Sequence, residues 1–304
     1  MTSLPNTVNT DKWGKETEKQ LHSEEFEAWR KAMYVDVIPW EYERFRELLE
    51  KYSKIPPSEV EAEIFKIRAK AWELAKYPCI GHFTYLRLLE FGGEDPDMQK
   101  VIERLKAPGS QDTYLELGGF MCQTIRVLAF EGVDSARLYG TDLHAEFLEL
   151  GYKQFRDRET LKATLVAGDM LAPDEEYTAS EVAKTFDGKI SIIHAGNFFH
   201  LFSWESQLVI CERIIRFFKR GSSAGSPAVV FGSHIGSVKP GEIEVFRIFL
   251  HDETTFQSLW DEVGNKTGTR WKVSMQIVAL TPPKPNAYGE DSRVMRFVVT
   301  QVVN

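Results

Sequence analysis

The spacing of hydrophobic positions changes near residue 110, and the change divides the chain into two unlike stretches. After "IPP", Val60, Ile64, Ile67, Ala71 and Leu74 recur at three- and four-residue steps. They predict a helix that ends before Pro78 and starts where Ser58 and Glu61 stand at capping-box spacing. A further helix is predicted over 97–105, and "KAPGSQD" behind it is a turn-rich break and a candidate boundary. Upstream, "WEYERFRELLEKYSKI" mixes charged and aromatic residues without clean periodicity or repeat.

Beyond the break, short apolar runs alternate with amphipathic ones. Strands are expected over 113–117, 136–141, 164–167, 190–194 and 228–232, and helices over 122–130, 145–155 and 204–218. The last of these helices has Leu208, Cys211, Ile215 and Phe218 on one face. Such alternation implies an α/β fold with right-handed crossovers and a mostly parallel sheet covered by helices on both faces. The end departs from it: 271–280 and 294–303 are strand-like and joined by "TPPKPNAYGEDS", too short for a crossover helix, so they should pair antiparallel. The expected division is an N-terminal helical extension over 1–107 and an α/β domain over 108–304.

Composition narrows the classes. With 304 residues, 43% hydrophobic and 27% charged, the chain suits one large domain or one domain with an extension. It has no apolar run long enough to span a bilayer, and its polar start is unlike a secretory signal, so a cytoplasmic location is expected. Cys79, Cys122 and Cys211 are odd in number and lack CxxC or His spacing, which argues against a disulfide framework and against a metal site. At a net charge of −8, basic residues are interleaved with acids, and no nucleic-acid partner is expected.

The chemistry gathers at predicted strand ends, where ligands bind in open parallel sheets. In "YLELGGFMCQTIR", Gly118 and Gly119 follow the first strand and permit positive φ and close backbone approach. The segment lacks the GxGxxG that a dinucleotide pyrophosphate needs. Glu116 beside the turn suits a cationic amino group better than a phosphate. "LYGTDL" puts Asp142 at the second strand's tip, where a carboxylate accepts both hydroxyls of a ribose. "VAGDML" puts Asp169 at the third, in reach of an adenine amino group. Each acid alone could be a helix N-cap; three at successive strand ends fit an adenosyl ligand.

With those motifs in place, the chain resembles the class I S-adenosylmethionine-dependent methyltransferases of fungal secondary metabolism, in particular those acting on meroterpenoid intermediates of the austinol and andrastin type. The resemblance rests on the glycine segment, on "IIHAGNFFHLFSWESQ", on "FLHDETTFQSLWDEVGNKTGTRWKV" and on "YSKIPPSEVEAEIFKIRAKAWELAKYPCIGHFTYL". It implies a Rossmann-like, seven-stranded sheet whose last strand is antiparallel, with residues 1–107 as a helical cap over the active site. It also implies S-adenosylmethionine as cofactor, with S-adenosylhomocysteine as product. The cofactor would be bordered by Glu116, Gly118, Gly119, Gln123, Asp142, Leu143, Asp169, Met170, Asn197 and Phe198. Relatives usually read "LDLGCCFGQDLR", so Glu116, Cys122 and Thr124 depart from the pattern, and Cys122 stands where a glycine admits the methionine end of the cofactor.

Methyl transfer to a carboxylate needs no base, whereas transfer to a phenol or enol does. His200 in "NFFHLF" is the candidate for that role or for orienting a carboxylate. His194 is expected in the core. His234, Arg247 and His251 are candidates for the substrate side, and Arg126 for a structural ion pair first and a substrate contact second. Tyr85, Trp40, Phe198, Phe199, Phe202 and Tyr288 could build an apolar pocket between cap and sheet. The expected activity is O-methylation of a lipophilic small molecule, a carboxyl group of a meroterpenoid or polyketide intermediate being the first choice, and homodimer assembly is compatible with it. Cys122 motivates the alternative, a methyltransferase-like cyclase or isomerase that keeps the pocket without transferring methyl. A non-catalytic binding protein is the third reading.

Overall fold

The structure is a computed structural model that describes residues 27–39, 41–87, 96–220, 226–244, 246–278 and 288–303. Trp40 and the predicted strand positions 279–280 lie outside the described residues. The strands, in chain order, are β1 (Tyr114–Leu117), β2 (Leu138–Asp142), β3 (Thr164–Ala167), β4 (Ile192–His194), β5 (Val229–Ser237), β6 (Gly241–Ile243), β7 (Ile248–Leu250), β8 (Trp271–Ile277) and β9 (Ser292–Gln301). Seven of them form one sheet in the order β3-β2-β1-β4-β5-β9-β8, and β6 and β7 make a separate antiparallel pair. β1 to β5 run parallel, while β9 enters antiparallel between β5 and β8. β8 and β9 follow one another in the chain and pair directly, which an antiparallel arrangement allows without a crossover.

β2 and β3 lie to one side of β1, and β4 and β5 to the other. The winding therefore switches between β1 and β4, and their carboxyl ends open a crevice. β1 is buried at every position, as expected of a central strand covered on both faces. Tyr114 and Ile192 join Phe45, Ile64, Ile67 and Phe147 in the core on one face. Leu115 and Ile193 join Phe217, Phe256 and Trp260 on the other.

The N-terminal segment is thus a layer of the sheet's own core. Helix Val60–Leu74 buries Val60, Ile64, Ile67 and Ala71 of the predicted stripe, leaves Leu74 half-buried, and also buries Arg68, which lies on the same face. Phe45 packs edge-on against Phe155 at 5.9 Å and Tyr85 at 6.1 Å. Helix Pro96–Lys106 is pinned to the start of β5 by Arg104, whose nitrogens donate to Asp112 at 3.2 Å, Ser226 at 2.8 Å and the carbonyl of Pro227 at 3.1 Å.

Some local expectations need correction. Ser58 and Glu61 form no capping box: the helix starts at Val60 behind Glu59, whose amide bonds the Pro56 carbonyl in a turn. A capping box does occur at Asp252 and Thr255, opening the unforeseen helix Glu253–Thr267, which stops at left-handed Gly268. β5 runs on to Ser237 because β9 pairs with it along its full length. Among the described residues no helix is long and apolar enough to cross a membrane.

If cap and sheet share one core, Ile64→Ala should lower stability by about 2–5 kcal/mol and leave a single transition in denaturant, followed by far-UV and near-UV circular dichroism. Two separated transitions would show that the N-terminal layer unfolds on its own.

Candidate active site

The segment joining β1 to helix Gln123–Phe130 turns sharply. Gly118, Phe120 and Cys122 take φ of +63°, +54° and +51°. A side-chain residue in the left-handed region costs roughly 1–2 kcal/mol, so Phe120 and Cys122 are held there by partners. The Phe120 amide donates to Asp142 Oδ2 at 2.8 Å, tying the loop to the tip of β2. The Gly119 amide bonds the Thr141 carbonyl at 2.9 Å, and the Cys122 amide bonds the Gly119 carbonyl at 2.7 Å. From beneath, Arg126 donates to the carbonyls of Met121 at 2.9 Å and Cys122 at 3.3 Å. Its other nitrogens form a bidentate pair with Asp157 at 2.9 and 3.2 Å. Arg126 and Asp157 are both buried, and Tyr52 donates to the same Asp157 oxygen at 2.9 Å from the N-terminal layer. The ion-pair expectation for Arg126 therefore stands, and a substrate contact does not: its side chain has no exposure.

Asp142 Oδ1 accepts from the His144 amide at 3.0 Å, and the Leu143 amide is a third backbone donor to this carboxylate beside those of His144 and Phe120. Desolvation raises this carboxyl to about 6, against the pull of those amides. Glu116 has a different place from the one expected. It is buried, its Oε2 accepts from the Ile125 amide at 3.1 Å, and it bonds Thr124. It supports the helix start from within, and burial raises its pKa, with His194 and Thr124 opposing. Gln123 donates to the Tyr85 carbonyl at 3.5 Å, while its Oε1 is buried with no hydrogen-bond partner among the described residues.

Cys122, where the resemblance implies a glycine, has no exposure and belongs to the core. A Cβ built on Gly140 of β2 would lie 2.7 Å from the Cys122 sulfur, and one on Gly119 2.8 Å. The missing side chains at these two glycines make room for the thiol within the core shared with the N-terminal layer. Burial and then Glu116 push the thiol pKa well up, so the group packs as a neutral hydrophobe. The motive for a cyclase or isomerase reading is thereby removed.

Around this loop, Asp169 is exposed and its Oδ1 closes a turn with the Leu171 amide at 2.7 Å. Leu143 is half-buried next to Asp142, and Met170 is buried with its carbonyl accepting from Arg213 at 2.6 Å. Asn197, left-handed at φ +52°, donates through its amide to the Ser233 carbonyl, which sets Phe198 against Gly118: a Cβ there would meet the Phe198 ring at 2.4 Å. His200 is buried, 5.9 Å from the ring of Tyr288, and Tyr288 packs on Phe246 of the β6–β7 hairpin at 5.7 Å. Arg247 follows in that hairpin's turn with φ +50°.

Three substrate-side candidates are corrected. His234 lies inside β5, 1% exposed, with its ring 5.0 Å from Phe297 and 5.2 Å from Phe256, and burial lowers its pKa to about 3. Phe199 has no exposure and packs on Phe256 and Phe297 in the same core. His251 is held by Gln207 at 3.0 Å and Thr255 at 3.2 Å. His194 is a core residue as expected, 5.0 Å from Phe231. Sequence reasoning missed Asp157 and Tyr52, far from the glycine segment in the chain, and Arg68. The signal for Arg68 was present: a cation on the apolar stripe, one turn after Ile64.

A seven-stranded, mostly parallel sheet with its winding switch at β1 and β4 and antiparallel last strands is the class I methyltransferase fold, and the glycine turn and the carboxylate at the tip of β2 lie at that switch. Residues 35–86 match the meroterpenoid methyltransferase N-terminal domain family. The chain is 39% identical over 236 residues to O-methyltransferase phiE of a fungal species, covering 76% of this chain and 74% of that protein. It is 33% identical over 231 residues to the asnovolin E/chermesin D methyltransferase nvfJ of Aspergillus novofumigatus, covering 75% of this chain and 78% of that protein. Among solved structures, Haemonchus contortus phosphoethanolamine N-methyltransferase 2 is similar with a TM-score of 0.47 at 14% identity, over 84% of this chain and 59% of that one. The chain belongs to the fungal S-adenosylmethionine-dependent O-methyltransferases of secondary metabolism.

Two substitutions test the loop. Arg126→Met strands Asp157 in the core and should cost about 3–5 kcal/mol in equilibrium denaturation; a loss under 1 kcal/mol contradicts its role. Cys122→Gly relieves the left-handed strain and should leave turnover within about twofold of the parent, so a collapse of turnover would show that the thiol takes part.

Proposed function

We propose that the protein methylates an oxygen of a lipophilic small molecule, with the carboxyl group of a meroterpenoid or polyketide intermediate as first choice. Residues 1–107 serve as the cap over the site and residues 108–304 hold the donor. The observation that carries this reading is the contact between Tyr85, inside the segment matched by the meroterpenoid family, and Phe120 of the glycine loop, with ring centroids 5.3 Å apart. It brings the family's own segment onto the donor loop.

Bound S-adenosylmethionine supplies an electrophilic methyl group on a sulfonium. The residues present fit it: Asp142 offers a carboxylate acceptor for the ribose hydroxyls, Gln123 offers a buried carbonyl, and Gly118 and Gly119 allow backbone approach. Leu143 and Met170 flank the adenine side, with Asp169 for its amino group. Asn197 and Phe198 border the methionine side. Glu116 acts on the ligand's ammonium only through the loop it supports. His200 orients a carboxylate, or accepts the proton of a phenol or enol. Tyr85 and Arg247 face the acceptor. No protein group needs to form a covalent bond, so acceleration comes from holding acceptor and donor in line. We assign the enzyme to the cytoplasm, and assembly as a homodimer is measurable by sedimentation.

Asp142→Asn should weaken S-adenosylhomocysteine binding by about 1.5–3 kcal/mol in calorimetry. The wild-type affinity should fall as pH drops through about 6, where Asp142 takes up a proton and loses acceptor capacity. A flat pH profile with unchanged affinity in the variant removes this assignment. For the activity itself, the mass of products from labelled donor and a panel of lipophilic acids and phenols decides: a gain of one methyl group supports the reading, and conversion at unchanged mass sinks it.

A further inference from the structure

Arg68 is a buried cation that is incompletely satisfied among the described residues. It is 2% exposed on helix Val60–Leu74, and its Nη2 donates to the Val35 carbonyl at 3.0 Å. Its Nε and Nη1 are buried and find no hydrogen-bond partner among the described residues. The guanidinium is sandwiched by aromatic faces, 3.6 Å from the Tyr34 centroid and 4.3 Å from that of Phe83. Cation–π contacts compensate only part of the desolvation of a charge, and an unpaired buried charge is expensive. Burial lowers its pKa, opposed by the Tyr34 and Tyr85 hydroxyls and by the Asp36 carboxylate nearby. A purely structural position would be better filled by an apolar residue of similar volume.

The surroundings lead from this cation to the donor loop. Phe83, itself left-handed at φ +55°, packs beside Tyr85 with centroids 6.5 Å apart. Tyr85 packs on Phe120, and its hydroxyl is buried without a hydrogen-bond partner among the described residues. Gln123, at the start of the helix after the loop, bonds the Tyr85 carbonyl and has its own unpartnered oxygen. Buried groups short of hydrogen-bond partners thus lie in sequence between the cap's cation and the donor site. The walls between them are aromatic. An anionic head on a lipophilic body matches that lining, and a planar carboxylate matches guanidinium and phenol donors together.

We propose that Arg68 and Tyr85 form a carboxylate-recognition subsite in the cap, by which the enzyme selects acidic over uncharged acceptors and orients the acid toward the donor loop. The inference rests on the methyltransferase reading and specifies which feature of the acceptor is read. Both are positioning residues, and their loss acts on acceptor choice while donor binding is spared.

The test uses the full chain saturated with S-adenosylhomocysteine. Abietate, 1-naphthoate and dodecanoate are each titrated by calorimetry against the corresponding primary alcohol. Wild type should bind at least one acid roughly tenfold to a hundredfold more tightly than its alcohol. Arg68→Met should erase that preference, Arg68→Lys should restore part of it, and Tyr85→Phe should reduce it, with S-adenosylhomocysteine affinity within about twofold throughout. Tyr85→Phe removes one oxygen only and keeps the test readable if Arg68→Met fails to fold. Three outcomes overturn the proposal: no acid preferred over its alcohol in wild type, the preference surviving in Arg68→Met, or the preference undiminished in Tyr85→Phe when Arg68→Met does not fold. Failure of wild type to bind S-adenosylhomocysteine instead overturns the methyltransferase reading, so the two failures are distinct.

Discussion

Arg126 carries a full positive charge at a site with no solvent, and the active-site loop depends on how that charge is satisfied. Two of its nitrogens are paired with Asp157, and the third holds the carbonyls of Met121 and Cys122. The backbone at Phe120 and Cys122 is left-handed without being glycine, so the loop persists only because its partners over-determine it. Asp142 holds it from the crevice side and Arg126 from the core side. Removing one partner of a buried ion pair costs about 3–5 kcal/mol, of the same order as the strain of two left-handed residues at roughly 1–2 kcal/mol each, so Arg126 and Asp157 are strong enough partners to hold the loop in its strained form.

The same pair joins the two parts of the chain. Tyr52 reaches Asp157 from the N-terminal layer, and Phe45, Phe83 and Tyr85 pack into the core that the glycine loop closes from above. The N-terminal layer is therefore part of the sheet's own packing, and a side chain presented from it has a defined position relative to the loop. Arg68 acquires its meaning in this setting. A cation on a mobile flap would be solvated; one fixed between two rings is held dehydrated and selective.

Much of this was legible in the sequence because alternation and apolar runs report which faces are covered. The five parallel strands, the helices after them and the antiparallel end fell near their predicted places, and Gly118, Asp142 and Asn197 stand at or just beyond the ends of β1, β2 and β4. What failed depended on distant partners. "FGSHIGS" reads as a loop by its glycines and serines, yet β9 pairs with β5 through Ser237 and draws His234 into the core. Glu116 reads as a ligand contact, yet its side chain turns under Gly119 to the helix start. Cys122 reads as an obstruction until Gly140, on another strand, is seen to leave space for its sulfur. Arg68 was visible as a charge on an apolar stripe and was passed over because pattern reading weighs the stripe and discounts the exception.

The central claim is that the donor loop is built in advance and held from both sides. A crystal structure of the enzyme with S-adenosylhomocysteine tests it most directly. The account predicts the ribose hydroxyls on the Asp142 carboxylate, with Phe120 and Cys122 still left-handed and Arg126 still paired with Asp157. A ligand bound elsewhere, or a loop rebuilt around it with that ion pair broken, would contradict the account.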